Sequence, residues 1–256
     1  MKYYEELLRL RCFRLKEAAE LTGSENAAMQ VLRQYIEKGY VRKVRRGLYT
    51  AVNLLDHESA ASPYLIASRI TDTAVVSHHS AFRYHGVANQ VSYEMSVSSD
   101  TKFNAFDFEG YHYRRLTPGI HSGIMTTMDG ARITDIERTI LDSIKDFEKD
   151  LGFEELIQCI SAVPVVDERK LSEYLAEFSN CFLYQKTGLI FEQFRESFGI
   201  SDSFLSECRE RAGKSSRYLF GGIPKDRMEY SSKWRLMIPK DLWRNNLNGD
   251  EENAEI

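Results

Sequence analysis

The chain has 256 residues, 34 Lys+Arg against 38 Asp+Glu and 43% apolar content, enough to bury the core of one large domain or those of two or three small ones. Such a composition excludes disorder along most of the length, and no apolar run approaches the roughly 18 residues of a membrane helix. The N-terminus mixes charges throughout, without the apolar stretch of a signal peptide, and Cys12, Cys159, Cys181 and Cys208 are widely spaced with no CxxC pair. A soluble cytoplasmic protein with free thiols is therefore expected.

The formal net charge of -4 conceals an asymmetry. Residues 1–53 carry 11 Lys+Arg against 6 Asp+Glu, whereas the remainder carries 23 against 32. Arg33, Lys38, Arg42, Lys43, Arg45 and Arg46 fall within fourteen residues of one another. Basic groups clustered on one module are the footprint of a phosphate-binding surface, although a solvated charged face has the same signature. Spacing has to decide between the two.

In residues 3–10, Tyr4, Leu7 and Leu8 recur at helical spacing. A second helix is expected from Arg14 or Leu15 to Leu21, closed by Thr22-Gly23. Ser24 then suits an N-cap for a third helix over about Glu25 to Lys38, with Ala28, Val31, Leu32, Tyr35 and Ile36 as its buried stripe and Gly39 beyond its end. In YVRKVRRGLYTAV, Val41 and Val44, then Leu48, Tyr49 and Val52, predict two short strands around an Arg46-Gly47 turn. Helix, helix, turn, helix and basic hairpin is the order of a winged helix-turn-helix, whose last helix enters the major groove.

Outward positions of that helix are Asn26, Ala27, Gln30, Arg33 and Gln34, after Ser24 at its start. Asn and Gln pair with adenine edges, Arg with guanine, and Ala27 suits a thymine methyl. Lys38, Arg42, Lys43, Arg45 and Arg46 are placed to neutralise phosphates, which fixes register without reading sequence.

Residues 54–63 lose periodicity and are expected to be a linker. A helix over Tyr64–Ser68, a strand at Ala74-Val75-Val76 and a helix over Ser80–His85 ended by Gly86 follow. Between Val87 and Met128, aromatic and β-branched residues broken by Gly and Asp predict short antiparallel strands. RITDIERTILDSI reads as a helix, with Thr134 and Glu137 at capping-box spacing and Ile136, Ile140, Leu141 and Ile144 as its stripe. Beyond it, LGFEELIQCISAV, ERKLSEYLAEF, LYQKTGLIFEQF and SDSFLSECRERA are helical, WRLMIP is a final strand, and the polar end is expected to be disordered. The expected fold is α+β: a winged helix-turn-helix (1–53), a linker (54–63), a central α+β domain with short antiparallel strands (64–148), a mainly helical C-terminal region (149–244) and an acidic tail (245–256).

Chemistry-bearing constellations are weak. His78, His79 and His85 invite a metal, but adjacent histidines diverge and no carboxylate pair stands nearby at helical or hairpin spacing. Ser77 or Ser80 beside a histidine would suit a hydrolase, yet there is no G-x-S-x-G elbow. Glu168-Arg169-Lys170 has a nuclease-like E-x-K spacing, but it opens an amphipathic helix. No catalytic residue, metal or cofactor is expected.

Taken in order, VRKVRRGLYT, VVSHHSAFRYHG, RITDIERTILDSI and LYQKTGLIFEQF make the chain resemble, from about Lys2 to Trp243, the AbiEi family of bacterial antitoxins and transcriptional regulators. The resemblance implies the antitoxin half of a type IV toxin–antitoxin module acting in phage defence by abortive infection. It implies a winged helix that binds inverted repeats in the module's own promoter, two copies to a repeat, and represses transcription. It also implies a C-terminal region that supports cooperative repression and antitoxicity, and a nucleotidyltransferase-like toxin as functional partner without obligatory contact. On that basis the DNA-contacting positions are the third helix from Ser24 to Gln34 and the wing from Arg42 to Arg46. His78, His79, Ser80 and Glu137-Arg138-Thr139 match family-typical residues with no implied catalytic role. Arg138 is expected to pair with an acidic group that ties its helix to the central strands. Two other functions fit the sequence: a module that docks a protein, the toxin included, without specific DNA binding, and a metal-dependent nuclease around His78, His79 and Glu168.

Overall fold

A computed structural model describes residues 2–150 and 152–243; the tail expected to be disordered, 245–256, lies outside them. The fold is mixed α+β. The described chain divides into two compact units, one holding residues 2–76, 93–118 and 124–133, the other 77–92, 119–123 and 134–243. This division cuts across the expected sequential domains, because the central strands group with the N-terminal residues and the central helices with the C-terminal ones.

The first unit begins with α1 (Tyr4–Leu10), β1 (Cys12–Arg14), α2 (Leu15–Thr22), α3 (Glu25–Glu37), β2 (Val41–Arg45) and β3 (Leu48–Ala51). Gly23 ends α2 at φ 89°, a left-handed position that costs a residue without Cβ little. Ser24 caps α3, its hydroxyl accepting from Ala27 N at 3.2 Å. Ala28, Leu32 and Tyr35 are buried against Tyr4, Leu7 and Phe13, but Val31 is half-buried and Ile36 is 39% exposed, so the stripe is narrower than expected. Strand β1 was not expected. It pairs antiparallel with β3 on the edge opposite β2, giving a three-stranded sheet in the order β1-β3-β2. Residues expected as a linker are folded onto that sheet: Ala60 N donates to Ala51 O at 2.8 Å, and Ser59 bridges Val52.

After α4 (Pro63–Arg69) come β4 (Val75–Val76), β5 (Glu94–Ser98), β6 (Phe106–Phe108), β7 (Tyr111–Leu116), β8 (Ile124–Thr126) and β9 (Arg132–Thr134). They form a six-stranded sheet ordered β6-β7-β5-β4-β9-β8. It is not all antiparallel, since β5 pairs parallel with β7, and β4 parallel with β9. The hairpin β6–β7 turns at Glu109 and Gly110, both at positive φ (47° and 80°), as a two-residue turn matched to strand twist requires.

The second unit contains α5 (His78–Tyr84), α6 (Ile136–Asp146), α7 (Phe153–Ser161), α8 (Glu168–Phe178), α9 (Cys181–Gln193), the single turn α10 (Arg195–Phe198) and α11 (Asp202–Arg211). A small sheet, β10 (Arg217–Tyr218), β11 (Met228–Ser231) and β12 (Leu236–Pro239), closes it in the order β10-β12-β11. Helix α9 is buried from Leu183 to Phe191 and packs with Ile140, Leu156, Leu175 and Trp234 in one core. Helix α6 starts two residues after Thr134, which belongs to β9. Its cap is Asp135, whose carboxylate accepts from Arg138 N at 3.0 Å, so the expected Thr134/Glu137 capping box does not form. No helix among the described residues is long and apolar enough to cross a membrane.

Candidate nucleic-acid interface

The basic cluster of the first fifty residues is distributed over α3 and the β2–β3 hairpin, and its members differ in freedom. Asn26, Gln30, Arg33 and Gln34 are exposed along α3, while Ala27 is half-buried. Ser24 Oγ already accepts the Ala27 N–H, which leaves it its own O–H to donate. Arg33 pairs with Glu37 one turn on, at 3.2 Å. Both side chains are more than half exposed, so the pair is weak. Lys38, Lys43 and Arg46 are exposed.

Arg42 and Arg45 are engaged elsewhere in the same unit. Arg42 forms an ion pair with Glu109 and donates through Nη2 to His57 O at 2.7 Å. Arg45 lies over the rings of Phe106 and Phe103 with its Cζ 5.1 and 5.4 Å from their centroids. Its Nη1 is buried without a hydrogen-bond partner among the described residues, and desolvation lowers its pKa. The strand explains this orientation: the β2–β3 register shifts between Lys43 and Arg45, and a bulge re-aims the side chain that follows it. Among these cations Lys38, Lys43 and Arg46 are exposed to solvent, whereas Arg42 and Arg45 are held by their present partners. Glu109, Phe103 and Phe106 carry no sequence signal linking them to the β2–β3 hairpin, being more than fifty residues away from it.

The histidines are brought to different partners. The Ser77 hydroxyl lies 2.8 Å from His78 Nδ1, and His78 Nε2 lies 3.8 Å from Asp146. His85 Nε2 bonds Thr134 O at 2.9 Å. Among the described residues, His79 is the histidine that joins a metal-type ligand set: its ring, Glu155 and Cys159 place donor atoms within 4.8 Å of one another, all buried. In that set a single oxygen, Glu155 Oε1, accepts from His79 Nε2 (3.1 Å), Asn89 N (3.2 Å), Gln90 N (3.2 Å) and Cys159 Sγ (3.4 Å). Burial and the neighbouring Glu155 raise the Cys159 thiol far above its ordinary value and hold it protonated. These hydrogen bonds tie residues 89–90 to α7.

Glu168 and Lys170 do not face a common site. The Glu168 carboxylate accepts from Ser201 N and Ser201 Oγ, both at 2.7 Å, and Lys170 pairs with Asp135 (3.2 Å) and Glu137 (3.4 Å). Arg138 pairs within its own helix, with Asp142 at 2.7 Å, and reaches Ser122 O at 2.7 Å; its acidic partner does not tie α6 to the strands as expected. No protein-family model matches the chain, and no curated protein matches its sequence.

Proposed function

We propose that this protein is a sequence-specific DNA-binding repressor that regulates its own operon and serves as the antitoxin of a nucleotidyltransferase-like toxin. In this reading α1 to β3 are a winged helix-turn-helix, α3 is the helix that enters the major groove, and the β2–β3 hairpin is the wing. The observation that carries it is the face of α3: Asn26, Gln30, Arg33 and Gln34 are all exposed on a helix whose opposite side is buried, with exposed Lys38, Lys43 and Arg46 following. Those residue types hydrogen-bond base edges and neutralise phosphates. Autoregulation and antitoxicity rest on the resemblance of four sequence segments and belong to the proposal. So do action in the cytoplasm, two copies on an inverted repeat, and function without catalysis or cofactor.

The test is a gel-shift titration on the DNA upstream of the gene, at two salt concentrations and with excess unrelated competitor. A competitor-resistant, salt-sensitive shift supports the repressor; no specific shift from folded protein removes it.

A second reading has its own observation. Met29 and Ile36, seven residues apart on α3, are 48% and 39% exposed, and apolar side chains on a helix suit a groove on another protein. It predicts co-purification with the neighbouring gene's product and no specific gel shift.

A further inference from the structure

Outside α3 and the wing, the first unit holds a second concentration of positive charge. A cleft of about 410 Å³ opens between the start of α2, the end of α4 and the start of β9. Four cations line it, Arg14, Lys16, Arg69 and Arg132, against two carboxylates, Glu17 and Asp72. The sequence gives no hint of this, because the contributors come from three segments separated by more than fifty residues each.

The guanidinium groups are held in place largely by backbone. Arg14 donates through Nε and Nη2 to Arg69 O at 3.2 and 3.1 Å, and through Nη1 to Asp72. Arg132 Nη2 donates to Asp72 O at 2.6 Å. Arg69 pairs with Glu17, while its Nε is buried and lacks a hydrogen-bond partner among the described residues. Lys16 is exposed.

Holding these cations together carries a cost. Desolvation lowers the Arg132 pKa first, and the charges of Arg14 and Arg69 lower it further. An anion entering the cleft would offset that repulsion and accept the remaining N–H donors. Guanidinium forks fixed by carbonyls match the oxygens of a phosphate and lose little freedom on binding it.

We propose that this cleft binds a phosphate group, supplied either by a free nucleotide or by a DNA backbone. The second source rests on the DNA-binding reading; the first does not. The wing turn adjoins the cleft through the chain itself, since Leu15 N, between Arg14 and Lys16, donates to Gly47 O at 3.2 Å. A duplex lying along the wing would therefore present its backbone to the same place.

The experiment titrates the full chain with ATP in the absence of magnesium, with inorganic phosphate as competitor, and separately with a short random-sequence duplex. Lys16→Gln and Arg132→Gln are compared with Arg209→Gln, an exposed arginine of α11. Thermal unfolding checks that each variant is folded. Losing one charge-assisted contact should weaken binding roughly tenfold. Loss of ATP affinity in both cleft variants, with Arg209→Gln unchanged, identifies a nucleotide site. Loss of duplex affinity alone, in the same two variants, identifies the DNA backbone as the source. The proposal is overturned if neither probe responds to the cleft variants, or if Arg209→Gln costs as much as they do. Should Arg132→Gln unfold through its lost carbonyl bond, the exposed Lys16→Gln decides. Gln30→Ala, which lies outside the cleft, separates this result from the repressor reading: it should alter base preference and leave ATP affinity intact.

Discussion

The six-membered ring of Trp234 packs against Gly188 so closely that a Cβ on the glycine would lie 2.0 Å from its Cζ3. Trp234 is fully buried, and its Nε1 donates to Glu192 Oε2 at 2.7 Å, one turn further along α9. The ring is thus pinned at both ends of its contact with the helix. Gly188→Ala gains up to about 1 kcal/mol of helix propensity, but the collision displaces a core tryptophan, an overpacking cost of about 1–3 kcal/mol. A net loss of stability is expected, read as a lower urea midpoint. An unchanged or higher midpoint would show that the indole moves aside freely.

Arg138 and Asp142 form an ion pair whose side chains are 2% and 1% exposed. Removing one charge leaves the other buried without compensation, a loss of about 3–5 kcal/mol. Asp142→Ala should therefore destabilise far more than Arg169→Ala, whose pair with Glu173 is exposed on α8. Denaturant unfolding of the two variants side by side tests this.

Burial drives the Lys186 pKa down from the ordinary 10.5 to about 8, although its Nζ donates to Lys145 O at 3.1 Å and lies over the Phe147 and Phe182 rings. Between about pH 8 and 10.5 the unfolded chain holds a proton at this site that the folded chain has released. This group therefore makes stability rise with pH across that window, by at most about 1.4 kcal/mol per pH unit. Below it the penalty for the buried charge is fully present. Lys186→Met should remove this slope, so the wild-type-minus-variant stability difference should grow from pH 7 to 10. A constant difference would show that the ammonium is well solvated.

On the proposed DNA-binding reading, Arg46→Ala and Gln30→Ala separate positioning from base readout. Losing the exposed Arg46 should reduce the log–log salt dependence of DNA binding by about 0.9 and weaken all sequences alike. Losing Gln30 should cost about 1–3 kcal/mol on the preferred operator and relax its base preference at one position. If both variants bind as the wild type does, α3 and the wing do not touch DNA.

Thiol reactivity should be confined to one position. Cys12 and Cys208 are buried, and desolvation pushes each thiol up to about 12, while Cys159 is buried beside Glu155; Cys181, at the start of α9, is exposed. A native-state titration with a thiol reagent should label Cys181 rapidly and the other three only on unfolding.

Signals that act within one or two turns of chain were legible in the sequence. Ser24 before α3, the helical character of α7, α8 and α11, the Arg46-Gly47 turn and the exposure of Asn26, Gln30, Arg33 and Gln34 all follow from neighbours at most four residues away. A cap, a turn or an amphipathic period is a local free-energy preference, and it survives whatever the rest of the chain does.

Tertiary structure alone decided which segments pair and which side chains remain free. Cys12–Arg14 is a strand because β3 offers an edge to it, and β5 runs parallel to β7 because the β6–β7 hairpin folds back beside it. Arg45 is drawn onto Phe103 and Phe106, Arg42 onto Glu109, and Arg14, Arg69 and Arg132 converge on one cleft, by contacts that span dozens of residues. The sequence by itself determined the α2–α3 helices of the first fifty residues and the basic cluster that follows them. Which charges face outward was settled by burial and long-range pairing, whose energies depend on partners that no local pattern names.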